Sequence, residues 1–114
     1  MSDSEPAPPI DITAEQWRIV HAILRRTLPD RSVWAFGSRV RGTARPYSDL
    51  DLAILGDEPV PIAAMAEAKE AFSESDLPWR VDLVDWASLS PRFRQIIARE
   101  HSPLLNAQDA LADT

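Results

Sequence analysis

The chain of 114 residues has no cysteine, only three glycines and a single tyrosine. Without cysteine it can form neither a disulfide framework nor a thiolate metal site, which is compatible with the reducing cytoplasm. It also lacks any run approaching the roughly 20 apolar residues that cross a membrane, and residues 1–9 are acidic and proline-rich, unlike a signal peptide. We therefore expect a soluble protein with a cytoplasmic location.

Length and charge narrow the partners that the chain can bind. At 114 residues it is long enough for one domain with a single core, but too short for a catalytic domain plus a separate substrate domain. Its formal net charge is −6, and it has no long basic run of the kind that neutralises nucleic-acid phosphates. We therefore expect a basic protein partner, and no direct binding to nucleic acid or to a membrane.

The most informative motif is a pair of aspartates in a strand-like run over residues 48–55. Because side chains alternate along a strand, Asp49 and Asp51 share one face, while Leu50 and Leu52 fill the other. Two neighbouring carboxylates repel each other and tend to raise each other's pKa unless a cation or a donor cluster lies between them. Mg²⁺ suits such an all-oxygen site, since it takes one or two carboxylates and completes its shell with water and substrate phosphates.

Hydrophobic periodicity predicts strands alternating with helices, which is typical of an α/β domain. Thr13 and Gln16 have the spacing of a capping box, so we predict a helix from there to about Leu28. Further strands are predicted over residues 32–36, 48–55 and 80–85, and further helices over residues 39–43, 62–75 and from 91 onward. The two ends are predicted to be flexible tails, residues 1–11 and 106–114, which leaves residues 12–105 as the domain.

Three short segments together carry a family resemblance. Residues 37–42 are GSRVRG, residues 48–52 are SDLDL, and residues 81–84 are VDLV. This combination resembles the nucleotidyltransferases of the DNA polymerase β superfamily, and most of all the minimal nucleotidyltransferase (MNT) domains, the antitoxins paired with HEPN toxins. The resemblance extends over about residues 17–105. At average residue abundances, the glycines, serines and aspartates of the first two segments would match by chance at a given start only about once in 10⁷.

The resemblance implies a site that binds a nucleotide and a metal. Gly37 would let the backbone approach a triphosphate closely, and the amides that follow it would point donors at the phosphates. The resemblance implies ATP as substrate and Mg²⁺ as cofactor, with two ions expected. Arg39 or Arg41 could neutralise charge on the transferred group, and Arg41 fits the family pattern better. The residues implied for the nucleotide are Gly37, Ser38, Arg41 and Ser48, and those for metal binding and catalysis are Asp49, Asp51 and Asp82.

The resemblance also implies a fold and an activity. The fold is polymerase β-like, with a small mixed sheet, helices packed mainly on one face and an acidic cleft on the other. The activity is transfer of AMP from ATP to a hydroxyl, by resemblance that of a tyrosine of a cognate HEPN toxin, which would be silenced. Two alternatives stay open: an antitoxin that blocks its partner by binding alone, and a nucleotidyltransferase that acts on a small, aminoglycoside-like molecule.

Several aromatic residues are expected to have structural roles: Trp34, Trp79, Trp86, His21 and His101. Neither histidine has a second metal ligand nearby in the sequence. Members of the family often carry a glycine near position 101, where the last helix turns, and His101 adopts such a conformation less easily. The strand that would otherwise be expected near Leu104 is therefore left open.

Overall fold

The computed structural model describes residues 8–106, so most of the two predicted tails, 1–11 and 106–114, lies outside the described residues. The helices and strands alternate as expected for an α/β domain: α1 Ala14–Thr27, β1 Val33–Phe36, α2 Ser38–Arg41, β2 Leu50–Ile54, α3 Ile62–Ser73, β3 Val81–Asp85, a 3₁₀ helix Trp86–Ser88, α4 Pro91–Arg99 and β4 Ser102–Leu105. None of the helices formed by residues 8–106 is long and apolar enough to cross a membrane.

The four strands form one mixed sheet in the order β3-β2-β1-β4. β2 and β3 are parallel, whereas β1 is antiparallel to both of its neighbours. Because β1 runs opposite to β2, the end of β1 lies at the same edge of the sheet as the beginnings of β2 and β3. The predicted mixed sheet is confirmed, and this edge is where the polar motifs of the sequence meet.

One face of the sheet is covered by α1 and α3, which enclose the main hydrophobic core. α1 begins at the predicted capping box, in which Thr13 accepts from the Gln16 N–H and Gln16 accepts from the Thr13 N–H. From β2, three side chains point into this core with 0% exposure, Leu50, Leu52 and Ile54. Each such fully buried side chain stabilises the fold by roughly 1.5–3 kcal/mol relative to exposure, so the inward face of β2 is strongly fixed.

The opposite face of the sheet is partly covered by aromatic rings. Trp34 of β1 stacks on His101 with ring centroids 3.7 Å apart, and it meets Trp86 edge-on at 5.5 Å. Phe36, at the end of the same strand, meets Phe93 of α4 edge-on at 6.0 Å. His101 therefore packs against an aromatic ring, in agreement with the structural role expected for it.

The strand left open by the sequence is present. β4, Ser102–Leu105, pairs with β1 at the edge of the sheet. Helix α4 ends at Arg99, and Glu100 is extended with φ −148° and ψ 97°. Within residues 8–106 no residue other than glycine has a positive φ, so His101 does not adopt the conformation for which glycine is favoured. The chain leaves α4 through an extended residue instead of a glycine turn.

Candidate active site

A glycine turn joins β1 to α2 at the edge of the sheet where the aspartates lie. Gly37 has φ 86° and ψ −157°, a conformation that residues with a Cβ rarely adopt. A Cβ at this position would also collide with Oδ2 of the Asp51 carboxylate. The position therefore requires glycine, and the backbone of the turn lies directly against Asp51.

Helix α2 is a single turn, Ser38–Arg41, and a second glycine ends it as the sequence predicted. Gly42 is left-handed, with φ 78° and ψ 19°, and donates its N–H to the Ser38 carbonyl. In contrast to Gly37, it has open space where a Cβ would lie. Gly42 is thus needed for its backbone conformation alone. Gly37 is needed for its backbone conformation and also because a side chain would collide with the Asp51 carboxylate.

The sheet register brings the three predicted aspartates to one edge. Asp51 pairs with Phe36 of β1 on one side and with Asp82 of β3 on the other. Residues paired across neighbouring strands project to the same face, so the Asp51 and Asp82 side chains are neighbours. Asp49 lies one residue before Leu50, the first residue of β2, so the strand begins later than the sequence predicted. Asp49 and Asp82 are exposed, and Asp51 is half-buried.

The pKa of Asp51 is raised from its ordinary value of 3.8 to about 6. Burial is the largest cause, the Asp82 carboxylate is the next, and the Asp49 carboxylate follows; Arg41 acts in the opposite direction. The sequence predicted repulsion between Asp49 and Asp51. In the structure, burial and the cross-strand neighbour Asp82 contribute more than that pair does.

The carboxylate edge matches a divalent cation in charge and donor type. Its donors are oxygens, and the negative charges of Asp49 and Asp82 both raise the pKa of Asp51, so a cation near Asp51 would be stabilised by all three groups. In the described part of the chain, no group of three or more His, Cys, Asp or Glu side chains is already arranged as a metal site. The residues fit Mg²⁺ in chemistry, and assigning Asp49, Asp51 and Asp82 as its ligands remains a proposal.

Arg39 has a structural role that the sequence did not predict. It is only 5% exposed, and burial lowers the pKa of its guanidinium, although Asp11 and Asp49 act in the opposite direction. Nε and Nη2 both donate to the Ser48 carbonyl, at 3.0 and 2.8 Å, and Nη1 donates to the Asp11 carbonyl at 2.8 Å. The Pro46 carbonyl accepts a further bond from Nη2 at 3.1 Å. One side chain thus fixes the backbone immediately before Asp49.

Helix geometry separates the roles of the two arginines. Residues two apart on a helix lie on nearly opposite sides, so Arg39 and Arg41 cannot both face the same cleft. Arg39 faces inward, where its guanidinium carbon lies 4.5 Å from the centroid of the Trp79 ring. Arg41 is exposed and close enough to Asp51 to lower the pKa of that carboxyl. Of the two arginines considered for binding the transferred group, Arg41 is therefore the one that faces the aspartates.

Ser48 closes the turn that leads into the aspartates. Its Oγ accepts from the Arg45 N–H at 2.9 Å, and its N–H donates to the Arg45 carbonyl at 3.0 Å. Together with the Arg39 bonds to its carbonyl, these contacts give Ser48 a clear part in positioning Asp49. Its predicted part in nucleotide binding remains a proposal.

A groove of about 620 Å³ opens beside Asp49 and Asp82, between α3 and the beginning of β3. Its wall includes Tyr47, Lys69 and Arg80, which sequence reasoning did not include in the site. A sequence signal existed for two of them, because Tyr47 is the only tyrosine and Lys69 the only lysine of the chain. The groove lies on the β3 side of the aspartates, whereas the Gly37 turn lies on the β1 side.

Comparison with protein families and curated proteins gives two consistent results. The family described as nucleotidyltransferase domain matches residues 18–105. The chain is also 59% identical over 90 residues to a protein of Haemophilus influenzae named "probable protein adenylyltransferase MntA", an alignment that covers 79% of each protein.

Solved structures give similar folds. A toxin-antitoxin complex with AMP-PNP contains a chain that matches with a TM-score of 0.67 and 28% identity, covering 84% of this chain and 78% of that one. A complex of the tri-AMPylated Shewanella oneidensis HEPN toxin with its MNT antitoxin matches with a TM-score of 0.57 and 26% identity, covering 82% of this chain and 75% of that one.

The Arg39 contacts generate a stability prediction. Arg39→Lys removes the planar fork that donates to several carbonyls at once, so we expect the free energy of unfolding to fall by about 2 kcal/mol. Arg41→Lys, two residues away and exposed, should change it by less than about 0.5 kcal/mol. Urea unfolding of both variants measures the difference. Equal stabilities for the two variants would show that the carbonyl bonds of Arg39 contribute little.

The raised pKa of Asp51 generates a pH prediction. Folding favours protonated Asp51, so its contribution to stability is present below about pH 4 and is lost as the pH rises through about 6. Asp51→Asn has no ionisable group at this position, so it removes the loss of stability that occurs as the pH rises. In EDTA, we expect the variant to gain several degrees more in Tm at pH 7.5 than at pH 4.5, since about 1 kcal/mol moves Tm by roughly 4–8 °C.

The matched control for this pH prediction is Asp57→Asn, which changes an exposed aspartate in the loop after β2. Its effect on Tm should be the same at both pH values. If Asp51→Asn also gives the same change at pH 4.5 and 7.5, or destabilises the protein at pH 7.5, the environment assigned to Asp51 is wrong.

Proposed function

The chain belongs to the nucleotidyltransferase domain family, and on this basis we propose that it transfers AMP from ATP to a hydroxyl of a HEPN-type toxin and so acts as an antitoxin. The observation that carries the proposal is the alignment of Asp51 with Asp82 across the parallel strands, with the Gly37 backbone against Asp51. The protein adenylyltransferase of Haemophilus influenzae and the toxin-antitoxin complexes support the same activity.

The turn between β1 and α2 would bind the phosphates of ATP. Gly37 leaves space at the carboxylate edge that any larger residue would fill, and Ser38 adds a hydroxyl donor beside it. Arg41, exposed on the same short helix, would neutralise charge on the leaving pyrophosphate. Ser48 would contribute mainly by holding the segment before Asp49, and its hydroxyl is the weakest of the proposed nucleotide contacts.

Asp49, Asp51 and Asp82 would hold Mg²⁺, for which we propose two ions. When bound, these ions supply charge stabilisation on the phosphates and lower the pKa of the attacking hydroxyl. Asp51 is the least exposed of the three carboxylates, so it would fix the position of the site, while Asp49 and Asp82 face solvent and can adjust.

We propose a tyrosine of the toxin as the acceptor, since a HEPN toxin is itself the AMPylated protein in the similar complex from Shewanella oneidensis. The acceptor oxygen forms a bond to the α-phosphorus, the bond between that phosphorus and the α,β-bridging oxygen breaks, and pyrophosphate leaves. Asp82, exposed beside the groove, would take the proton of the hydroxyl.

Because the Shewanella oneidensis toxin is tri-AMPylated in its complex, we propose that more than one AMP is added here too. A cytoplasmic location remains a prediction of the sequence.

The test is an incubation of the purified protein with ATP, Mg²⁺ and the product of the adjacent gene as the candidate partner, followed by intact mass of that partner. We expect the wild type to add AMP and Asp82→Asn to lower the rate by about 10²–10⁴-fold, the usual contribution of a positioned proton acceptor. Asp57→Asn, which changes an exposed aspartate away from the cleft, is the matched control.

Three results would contradict this account. Transfer by Asp82→Asn at the wild-type rate would exclude Asp82 from the chemistry. A partner that stays unmodified but is inhibited by stoichiometric binding would identify a non-catalytic antitoxin. Label transferred to an aminoglycoside, with none on the partner, would instead favour a small-molecule nucleotidyltransferase.

A further inference from the structure

Tyr47 is an exposed side chain on a firmly held turn. It is the only tyrosine of the chain, and it is 77% exposed. The turn that contains it is closed by two bonds, from the Ser48 N–H to the Arg45 carbonyl at 3.0 Å and from the Arg45 N–H to the Ser48 Oγ at 2.9 Å. Arg39 also donates to the carbonyls of Pro46 and Ser48, the two neighbours of Tyr47. The backbone on both sides of Tyr47 is therefore fixed, while its ring reaches into solvent.

The turn places Tyr47 on the acceptor side of the proposed site. In the proposed function the phosphates lie at Gly37, on the β1 side of Asp51, so pyrophosphate leaves toward β1. The attacking and leaving oxygens of such a transfer are roughly in line, so the acceptor approaches from the β3 side. The groove lies on that side, and Tyr47 lines it together with Asp49 and Asp82. The chain thus presents a phenol of its own where an acceptor hydroxyl is needed.

Two side chains with a hydroxyl line the groove, Tyr47 and Ser73. A phenol gives up its proton more easily than an aliphatic alcohol does, so it is the better acceptor when a carboxylate takes that proton. A single exposed aromatic residue on a protein surface needs no functional explanation. Tyr47 differs from such a residue because it lies on a fixed turn two residues before Asp49 and shares one groove with Asp49 and Asp82.

We propose that Tyr47 is itself an acceptor, so that the chain transfers AMP from ATP to its own Tyr47 hydroxyl when no partner occupies the groove. The inference rests on the proposed function and adds to it a modification site on this chain. The transfer takes place within one molecule. It needs no second copy, because the segment that leads into β2 carries both the acceptor and Asp49.

The transfer to Tyr47 has the same balance of bonds as transfer to a partner. The Tyr47 oxygen forms a bond to the α-phosphorus of ATP, and the bond from that phosphorus to the α,β-bridging oxygen breaks. Pyrophosphate leaves on the Gly37 side, and the phenolic proton passes to Asp82 and then to solvent. ATP supplies the activated phosphorus, so no further reactant is needed.

The modified chain has a groove that is already filled. Its new phosphodiester is an anion, and Lys69 and Arg80 are exposed cations on the groove wall that attract it. The attached AMP therefore stays beside Asp82 and keeps a partner hydroxyl away from that carboxylate. Modification of Tyr47 thus slows transfer to the partner, and a partner that docks first protects Tyr47.

The first test is an incubation of the purified protein with Mg²⁺ and ATP in the absence of any partner. Intact mass follows the reaction over time, and peptide mass spectrometry locates the modified residue. We expect one AMP on Tyr47, with a rate constant that is the same at low and at high protein concentration. Tyr47→Phe keeps the ring and should gain no AMP, while Asp82→Asn should lower the rate by about 10²–10⁴-fold. Ser73→Ala removes the other hydroxyl of the groove wall and is the matched control, with the wild-type rate expected.

A second test measures the effect of the modification on transfer to the partner. Wild type and Tyr47→Phe are each incubated with Mg²⁺ and ATP, and the product of the adjacent gene is then added. We expect the first addition of AMP to the partner to be slowed in proportion to the modified fraction of the wild type. Tyr47→Phe, treated in the same way, should keep the full rate, which also shows that this variant is folded and active.

The outcomes separate this inference from the proposed function. AMP on the partner, with none on the chain incubated alone, would overturn the inference and leave the proposed function intact. Equal modification of Tyr47→Phe would overturn the assignment of the residue, and a rate constant that rises with protein concentration would overturn transfer within one molecule. An unchanged rate on the partner after Tyr47 is modified would show that the attached AMP does not fill the groove. No AMP on either protein contradicts the proposed function and the inference together.

Discussion

The pairing register of β2 is the constraint on which the site depends. β2 is bonded on both sides, to β1 through Phe36 and to β3 through Asp82, and both pairings meet at Asp51. Because side chains alternate along a strand, a slip of one residue would turn Asp51 into the core and bring Leu50 or Leu52 to the cleft. The inward-facing side chains of Leu50, Leu52 and Ile54, each at 0% exposure, oppose such a slip, so the core beneath the sheet fixes the position of the carboxylate above it.

The aspartate cluster is held in place by contacts of residues outside the cluster. Asp51 is half-buried next to two other carboxylates, which is unfavourable for its ionised form and raises its pKa to about 6. Contacts that hold the neighbouring backbone come from α2 and the loop before β2, where Arg39 binds the Ser48 carbonyl twice and contacts the Trp79 ring. Burying and hydrogen-bonding one arginine thus gives rigid support to a cluster whose charges repel. Such a cluster is typical of sites that bind a cation together with a phosphate, since the bound cation offsets the negative charge that the fold leaves uncompensated.

Sequence patterns predicted the parts of this protein that depend on local rules. The capping box at Thr13, the strand that carries Asp51 and the parallel strand that carries Asp82 follow from spacing and alternation, and the structure contains all three. The sequence alone leaves β4 open, because a glycine is the residue expected at the end of α4, whereas in the structure Glu100 leaves the helix in an extended conformation. Local sequence rules do not predict this extended exit from α4, because the pairing of β4 with β1 determines it.

The features that the sequence did not predict depend on tertiary contacts. The burial of Arg39 requires the carbonyls of Asp11, Pro46 and Ser48 to converge, and no spacing rule connects those residues. The groove likewise combines Tyr47, α3 and the beginning of β3, which come together only after β2 and β3 pair. The roles of the predicted nucleotide and metal ligands remain proposals, because their assignment rests on the family pattern and on their placement at one edge.

The central claim is that the aspartate edge and the Gly37 turn together bind ATP with Mg²⁺, and thermal unfolding with and without these ligands tests it most directly. At a hundredfold excess over Kd, binding adds about 2.7 kcal/mol, which corresponds to a rise in Tm of roughly 10 °C or more. We expect this rise for the wild type and for Asp57→Asn with Mg²⁺ and ATP together, and its loss in Asp49→Asn, whose exposed side chain is not part of the core. No rise in the wild type at millimolar Mg²⁺ and ATP, or an equal rise in Asp49→Asn, would contradict the account.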